Sequence, residues 1–179
     1  MAFLSILTRH LPQRAAMLKI NKASLAMQSC QDFEQLLAID GLGQGWKHAA
    51  EMLADMARDA TGDYVLILDD DDIMLNADGV KLIKEAAGSA PAAVIFRGYH
   101  ADLGILPNDN IWMRRPGLAQ IGSFDFITRR DVFCDLVETA VSNGYTNDFG
   151  IIDGVFERGL PVTWLNVLVC AVMRRSRGQ

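Results

Sequence analysis

The chain has 179 residues, half of them hydrophobic, which is enough for one domain with a buried core but short for two domains of ordinary size. Seventeen basic residues against 22 acidic ones give a net charge of −5. This balance argues against a general nucleic-acid binder, which needs a basic surface to neutralise phosphates. The apolar content also excludes a disordered chain. We therefore expect one folded domain over residues 1–179.

The elements follow one another in an order typical of α/β proteins. Short apolar runs alternate with longer stretches of helical periodicity, the pattern of βαβ units around a parallel sheet. It predicts strand 3–7, helix 13–28, strand 33–39, helix 46–60, strand 64–68, helix 79–89 and strand 92–96. Residues 101–120 are rich in Pro, Gly and Asn, and strand 123–128, helices 131–141 and 148–158, and strand 162–169 follow. The first helix takes as its apolar positions Ala16, Leu18, Ile20, Leu25 and Met27. The sequence thus predicts a single α/β domain, with a mostly parallel central sheet flanked by helices and an irregular second half.

Cysteine usage and the apolar runs bear on the compartment. Cys30, Cys134 and Cys170 are widely spaced and odd in number, which indicates neither a disulfide framework nor a Cys-x-x-Cys metal site and favours a reducing cytosol. The N-terminal apolar run has no basic region before it. The longest apolar stretch, 160–173, is too short to span a bilayer. We predict a cytoplasmic protein with no transmembrane segment.

Four consecutive aspartates, Asp69 to Asp72, come directly after the apolar strand 64–68. In open α/β sheets, ligands bind outside the carboxyl ends of the strands. Neighbouring carboxylates repel each other, and a hard divalent cation would remove that repulsion because it prefers carboxylate oxygens and often shares them with substrate phosphates. The pattern predicts a Mg²⁺ or Mn²⁺ site. The alternative that the residues leave open is a solvated acidic turn that caps the next helical turn.

Residues 41–46, Gly-Leu-Gly-Gln-Gly-Trp, follow the second strand and are close to a dinucleotide-binding turn. That turn requires Gly-x-Gly-x-x-Gly, and here the third glycine comes one residue early, with Trp46 in its place. A bulky side chain there prevents the close packing of helix on strand that the third glycine permits. NAD or FAD binding is therefore disfavoured.

The three histidines give no catalytic pattern. His10, His48 and His100 lack the spacing of a metal site, and we expect such isolated histidines at strand ends to lie at the surface. The sequence contains neither a Gly-x-Ser-x-Gly elbow nor a phosphate loop ending in Gly-Lys-Ser or Gly-Lys-Thr.

An acidic residue opens the last predicted helix. Asp148 follows Thr146 and Asn147, and the helix ends before Gly159. From the residues alone, Asp148 is either a first-turn carboxylate favoured by the helix dipole or a group that takes part in chemistry.

Taken in order, these motifs resemble a family-2-type GT-A glycosyltransferase, the inverting group that uses nucleotide sugars. The segments that carry the resemblance are 5–9 with Arg14, 33–40, 62–72 with its Asp-x-Asp pattern, and 146–159 with a Glu-Asp-like motif. The resemblance covers nearly the whole chain. It implies one GT-A-like, Rossmann-like domain, with residues 1–100 as the nucleotide-sugar-binding half and residues 101–179 as the acceptor-side half.

The resemblance also implies roles for the matching residues. Asp40 would contact the nucleotide base, and Asp69 would meet the ribose. The whole nucleotide-binding set is Thr8, Arg9, Asp40, Asp69 and Asp70. Asp71, together with Asp69, would hold the Mn²⁺ or Mg²⁺ that bridges the diphosphate. Asp148 would be the base that deprotonates the acceptor hydroxyl, with Asp153 as the second choice.

The implied reaction moves a sugar from a UDP-, GDP- or dTDP-sugar to a saccharide or other hydroxyl acceptor, with inversion and metal assistance. Asn147 stands where the family has Glu before the catalytic Asp. The alternative is therefore a non-catalytic module with the same fold that binds a nucleotide sugar or a partner. A sugar nucleotidyltransferase is disfavoured, because residues 8–14 contain neither the glycines nor the lysine that such enzymes need after the first strand.

Overall fold

The computed structural model of the chain describes residues 2–41, 45–143 and 147–173, and within them the backbone alone at residues 46, 140–143, 147 and 148. These ranges contain eight strands and five α-helices. The strands are β1 Leu4–His10, β2 Phe33–Ile39, β3 Tyr64–Ile67, β4 Asp72–Met74, β5 Ala93–His100, β6 Gly104–Leu106, β7 Phe126–Arg129 and β8 Val162–Val172. The helices are α1 Ala15–Ala26, α2 Trp46–Asp59, α3 Gly79–Ala86, α4 Arg130–Asn143 and α5 Asn147–Glu157. None of the described helices combines the length and the apolar character needed to cross a bilayer.

All eight described strands belong to one sheet, in the order β2-β1-β3-β7-β5-β8-β4, with β6 paired to β5. The pairs β1–β2, β1–β3 and β5–β8 are parallel. The pairs β3–β7, β4–β8, β5–β6 and β5–β7 are antiparallel. The predicted α/β fold with flanking helices is confirmed, and the sheet is more mixed than expected. No described α-helix lies between β5 and β7 in the chain, and only parallel neighbours require a long crossover connection, which is usually an α-helix.

The helices cover both faces of this sheet. Helices α2, α4 and α5 contribute to one apolar cluster and helices α1 and α3 to the other. Strand β3 contributes to both clusters, since Val65 and Ile67 belong to the first and Tyr64 and Leu66 to the second. A strand that is buried on both faces fixes the position of the residues that follow it, which here are the four aspartates.

Helix α1 buries polar side chains where apolar ones were expected. Of the predicted apolar positions only Leu25 is buried, while Ile20 and Met27 are 51% and 71% exposed. Asn21 and the nearby Gln28 are buried instead. The reason is the surface that α1 packs on: the segment 69–80 presents backbone amides and carbonyls that need hydrogen-bond partners.

Strands β4 and β6 were not predicted. Each has only three residues, too few to show an alternating pattern, and β4 begins inside the acidic run. Strand β1 also extends further than expected, to His10, because its polar end pairs with residues 37–39 of β2. The remaining predicted elements agree with the structure to within a few residues at each end.

Candidate functional site

Strands β1 and β3 end side by side, and this brings the segment after β1 against the acidic run. The amide of Leu68 donates to the carbonyl of Leu7 at 3.0 Å, and the amide of Asp70 donates to the carbonyl of Arg9 at 3.2 Å. The carboxyl ends of the two parallel strands therefore present their side chains to the same region, as expected for a ligand site in an open sheet.

The four aspartates form a tight turn, which we call the acidic turn (residues 69–72). The amide of Asp72 donates to the carbonyl of Asp69 at 3.0 Å, and the Oδ2 atom of Asp72 accepts from the amide of Asp69, also at 3.0 Å. Asp72 thus closes the turn with its backbone and with its side chain. The turn aims its carboxylates in different directions, so each has different neighbours.

Asp70 is fully buried beneath the turn. Its carboxylate accepts from the amide of Leu11 at 2.9 Å and from Nη1 of Arg14 at 3.0 Å, and it lies 2.8 Å from Nδ1 of His10. The expected contact between Asp70 and the nucleotide does not fit this arrangement, because no part of the side chain is exposed to a ligand. His10 is buried as well, so the expectation that it lies at the surface was wrong: it is a partner of the buried carboxylate.

Asp69 and Asp71 face outward, and each forms an ion pair with an arginine. The guanidinium of Arg9 binds both oxygens of Asp69, with Nε 2.8 Å from Oδ1. Nη1 of Arg14 lies 2.9 Å from Oδ2 of Asp71. The side chains of Asp69 and Asp71 keep 22% and 15% of their surface exposed, which is enough to meet a ligand.

The charge on Asp71 is unfavourable in the free protein. Burial raises the pKa of its carboxyl above the ordinary 3.8, Arg14 works against this, and the charges of Asp69 and Asp70 raise the pKa further. Any additional positive charge beside Asp71 would therefore stabilise its ionised form. This electrostatic setting suits a cation or the cationic edge of a bound ligand.

On one side of the acidic turn lies a cavity of about 270 Å³, which we call the arginine cavity; its lining residues are Arg9, Leu11, Arg14, Asp40, Gly45, Ala49 and Asp69. It brings together three of the predicted nucleotide-binding residues: Arg9, Asp40 and Asp69. Asp40 is placed by its amide, which donates to the carbonyl of His10 at 2.9 Å. Thr8 is fully buried and does not line the cavity; its Oγ1 accepts from Nε2 of Gln35 at 2.8 Å.

On the other side lies a second cavity of about 270 Å³, the His100 cavity. Its polar lining residues are Asp69, Asp71, Asp72, His100 and Ser123, and its apolar ones include Leu103, Leu106, Ile121, Phe124 and Val172. The amide of Asp102 donates to Nδ1 of His100 at 3.2 Å, which leaves Nε2 as the protonated nitrogen of the neutral ring. Sequence reasoning missed His100 as a cavity residue, because nothing near it in the chain forms a motif.

The irregular segment beside this cavity is anchored by Arg97. Its guanidinium donates to the carbonyl of Pro107 at 2.8 Å and to Asp109 at 2.7 Å, and it stacks 4.2 Å from the ring centre of Trp112. Trp112 in turn contacts Trp164 of β8 edge-on, with ring centres 5.0 Å apart. The Pro/Gly-rich excursion is therefore held against the sheet at this point.

Of the two candidate bases, the structure describes the side-chain surroundings of Asp153 but not those of Asp148. Asp148 lies in the first turn of α5, and its side chain falls outside the described part of the chain. Asp153, the second choice, accepts from Nε of Arg115 at 2.7 Å, and the same guanidinium reaches Glu157 at 3.3 Å. The carboxylate of Asp153 is therefore already engaged in an ion pair.

The donor set agrees with a hard divalent cation shared with a ligand. Asp69 and Asp71 offer carboxylate oxygens, which Mg²⁺ and Mn²⁺ prefer. Across the described residues, no group of three or more His, Cys, Asp or Glu side chains is arranged to hold a metal ion. Mg²⁺ is commonly bound by one or two carboxylates with substrate phosphates completing the shell, and the acidic turn fits that mode.

No protein-family model matches this chain, and no curated protein sequence matches it either. Solved structures share its fold. TarS residues 1–349 from S. aureus, in complex with UDP-GlcNAc, superposes with a TM-score of 0.68 at 14% identity, over 99% of this chain and 60% of that one. A glycosyltransferase involved in the glycosylation of the major capsid of PBCV-1 gives a TM-score of 0.63 at 11% identity, over 97% and 96%. The mannosyltransferase PcManGT from Pyrobaculum calidifontis, solved with GDP-Man and Mn²⁺, gives 0.66 at 14%, over 98% and 58%.

These likenesses show the fold. This chain has the α/β architecture of GT-A-like glycosyltransferases, as the order of its sequence motifs predicted. It spans about three fifths of the length of the TarS fragment and nearly the whole length of the PBCV-1 glycosyltransferase.

Proposed function

We propose that the chain is a glycosyltransferase that moves a sugar from a nucleoside-diphosphate sugar to an acceptor hydroxyl, with inversion and with help from a divalent cation. One observation carries the proposal: Asp69 lines both the arginine cavity and the His100 cavity. A ligand that extends from one cavity to the other passes the acidic turn. A nucleotide sugar has this layout, with a nucleoside at one end, a sugar at the other and a diphosphate between them.

The arginine cavity suits the nucleoside end. Asp40 offers a carboxylate to the N–H groups of a base, and Asp69 offers one to ribose hydroxyls. The guanidinium of Arg9 orients Asp69 through two parallel hydrogen bonds, and Arg14 adds positive charge at the edge where phosphates would lie. In this scheme Thr8 and Asp70 support the site from within the protein and do not touch the donor.

Asp71 and Asp69 are the residues that would hold Mn²⁺ or Mg²⁺. When bound, such a cation neutralises charge on the departing diphosphate. The TarS and PcManGT structures lend support, since the one was solved with UDP-GlcNAc and the other with GDP-Man and Mn²⁺. Residues 1–100 would then bind the donor and residues 101–179 would face the acceptor.

Transfer requires a group that takes the proton from the acceptor hydroxyl. We assign this to Asp148, near the N-terminal end of α5. A carboxylate general base strengthens the attacking oxygen. Direct displacement by that oxygen, on the face opposite the leaving diphosphate, inverts the anomeric centre.

Thermal denaturation with UDP, GDP, dTDP and CDP, each with Mn²⁺ or with EDTA, tests donor binding. A nucleotide at about 100 times its dissociation constant adds about 2.7 kcal/mol of stability. For a chain of this size that raises Tm by roughly 5–11 °C. We expect one nucleotide to give this shift with Mn²⁺ and much less with EDTA, and Asp71→Asn to lose the metal-dependent part.

The same nucleotides then separate an enzyme from a binding module. Slow, metal-dependent hydrolysis of the matching nucleotide sugar supports transferase chemistry, whereas tight binding without turnover supports the module. Identical melting curves with all four nucleotides, with and without metal, would refute the proposed function.

A further inference from the structure

Helix α1 carries a polar stripe that follows the acidic turn and the chain after it. The stripe consists of Asn21 and Ser24 in the helix and Gln28 just after its end, whose spacing of three and four residues puts them on one side of the helical path. Oγ of Ser24 accepts from the amide of Met74 at 3.1 Å. Gln28 donates to the carbonyl of Asn76 at 2.8 Å and accepts from the amide of Val80 at 3.1 Å. The stripe therefore supplies the hydrogen bonds that this irregular backbone lacks.

Asn21 contacts the acidic turn itself. Its Nδ2 donates to the carbonyl of Asp69 at 3.1 Å and to the carbonyl of Asp72 at 2.9 Å. Backbone carbonyls can only accept, so the amide nitrogen must face the turn and Oδ1 must face away from it. Oδ1 accepts from Nε2 of Gln35 at 2.8 Å, and the same Nε2 also donates to Oγ1 of Thr8. Asn21 is fully buried, so this orientation is fixed on both sides.

These contacts join the first and last residues of the acidic turn. The carboxylates of the turn repel one another, and the repulsion favours a more open turn. Asn21 counters it by holding both ends with one side chain, without adding charge. Gln35 and Thr8 connect that side chain to strands β2 and β1, which carry no part of the turn.

We propose that Asn21 is a positioning residue that sets the separation of the Asp69 and Asp71 carboxylates and thereby controls the affinity for a cation and a nucleoside diphosphate. The inference rests on the proposed function, because it assigns a ligand to these carboxylates. The free protein is affected as well: without Asn21, the first and last residues of the acidic turn lose the side chain that joins them, and the turn opens more often.

The test compares Asn21→Ala with Gln28→Ala. Both substitutions remove hydrogen bonds of a buried side-chain amide to the segment 69–80, that of Asn21 in helix α1 and that of Gln28 just after its end, but Gln28 does not reach the acidic turn. In the free protein, hydrogen exchange at the amides of Asp69 and Asp72 should become faster in Asn21→Ala, and exchange at Val80 should become faster in Gln28→Ala. Affinity for Mn²⁺ with the nucleotide that binds wild type best should fall about 10–100-fold in Asn21→Ala and stay nearly unchanged in Gln28→Ala.

A milder variant covers the case in which Asn21→Ala does not fold. Gln35→Ala leaves both bonds from Asn21 to the turn and removes only the partner of its Oδ1, so we expect a smaller affinity loss in the same direction.

Equal affinity losses in the Asn21 and Gln28 variants would overturn the proposal, because the role would then be general stability. Unchanged exchange at Asp69 and Asp72 would overturn it too. A wild-type chain that binds none of the nucleotides would refute the proposed function, and the exchange data on the free protein would still decide whether Asn21 holds the turn.

Discussion

The substitution Asp70→Ala removes a carboxylate that has no exposed surface and that three groups of the β1–α1 connection contact. Those groups are the ring of His10, the amide of Leu11 and the guanidinium of Arg14. Arg14 keeps a second partner in Asp71, but the buried imidazole and the amide of Leu11 lose theirs. Breaking one side of a buried charged network typically costs about 3–5 kcal/mol.

That free energy translates into a large change in Tm. At roughly 2–4 °C per kcal/mol for a chain of this length, Asp70→Ala should lower Tm by about 6–20 °C. Differential scanning calorimetry and urea denaturation of the nucleotide-free protein measure the change directly. If the alanine variant does not fold, Asp70→Asn, which keeps the shape and one acceptor oxygen, should show a smaller loss in the same direction.

Asp71→Asn is the matched control, because it changes the neighbouring residue in the same turn. The pKa of Asp71 is raised, so its charge weakens the free fold, and its removal should leave Tm unchanged or slightly higher. A loss below about 1 kcal/mol in Asp70→Ala, or an equal loss in Asp71→Asn, would show that the structure assigns the two aspartates incorrectly.

Three further predictions concern the pH dependence of stability, the pH dependence of ligand binding, and catalysis. Because the folded protein binds a proton at Asp71 more tightly than the unfolded chain does, the contribution of Asp71 to stability should fall as pH rises from the usual pKa of 3.8 through the raised value. Metal-dependent nucleotide affinity should weaken as pH falls through that same window. Denaturation of wild type and Asp71→Asn at several pH values measures the change in stability, and titration calorimetry of wild type at the same pH values measures the change in affinity. Asp148→Asn should lower the transfer rate by about 10²–10⁴-fold while donor affinity and Tm barely change. A fully active Asp148→Asn variant, or a comparable loss of rate in Asp153→Asn, would contradict the assignment of the general base to Asp148.

The parts of the fold that the sequence predicts are those with a strong local pattern. Strand β3 is a continuous apolar run, and α2 and α4 have apolar positions at helical spacing, so their existence follows from a few neighbouring residues. The GT-A-like fold was predicted from the resemblance of four segments in the correct order, one of them the aspartates at the end of β3. Strands β4 and β6 have three residues each and no such pattern.

The candidate site was predictable in part, for a related reason. Arg9, Asp40 and Asp69 were expected together and do line one cavity. The buried role of Asp70 depends on His10 and Arg14, which lie 60 and 56 residues away in the chain. The burial of Asn21 depends on backbone carbonyls 48 and 51 residues away. A polar side chain that is buried because of a distant partner looks, in the sequence, like any surface residue.

In the proposed function, the arrangement of Asp70, Asp71 and Arg14 gives two neighbouring aspartates different roles. Nη1 of Arg14 contacts Asp70 at 3.0 Å and Asp71 at 2.9 Å, so in the free protein the two carboxylates share one guanidinium. A cation at Asp71 would compete with Arg14 for that carboxylate. Asp70 would still hold the displaced guanidinium at the edge of the arginine cavity, where phosphate oxygens can accept from it. Asp71 would therefore exchange Arg14 for the cation while the charge of Arg14 stays beside the ligand. This exchange requires Asp70 to be buried and to keep its ion pair with Arg14.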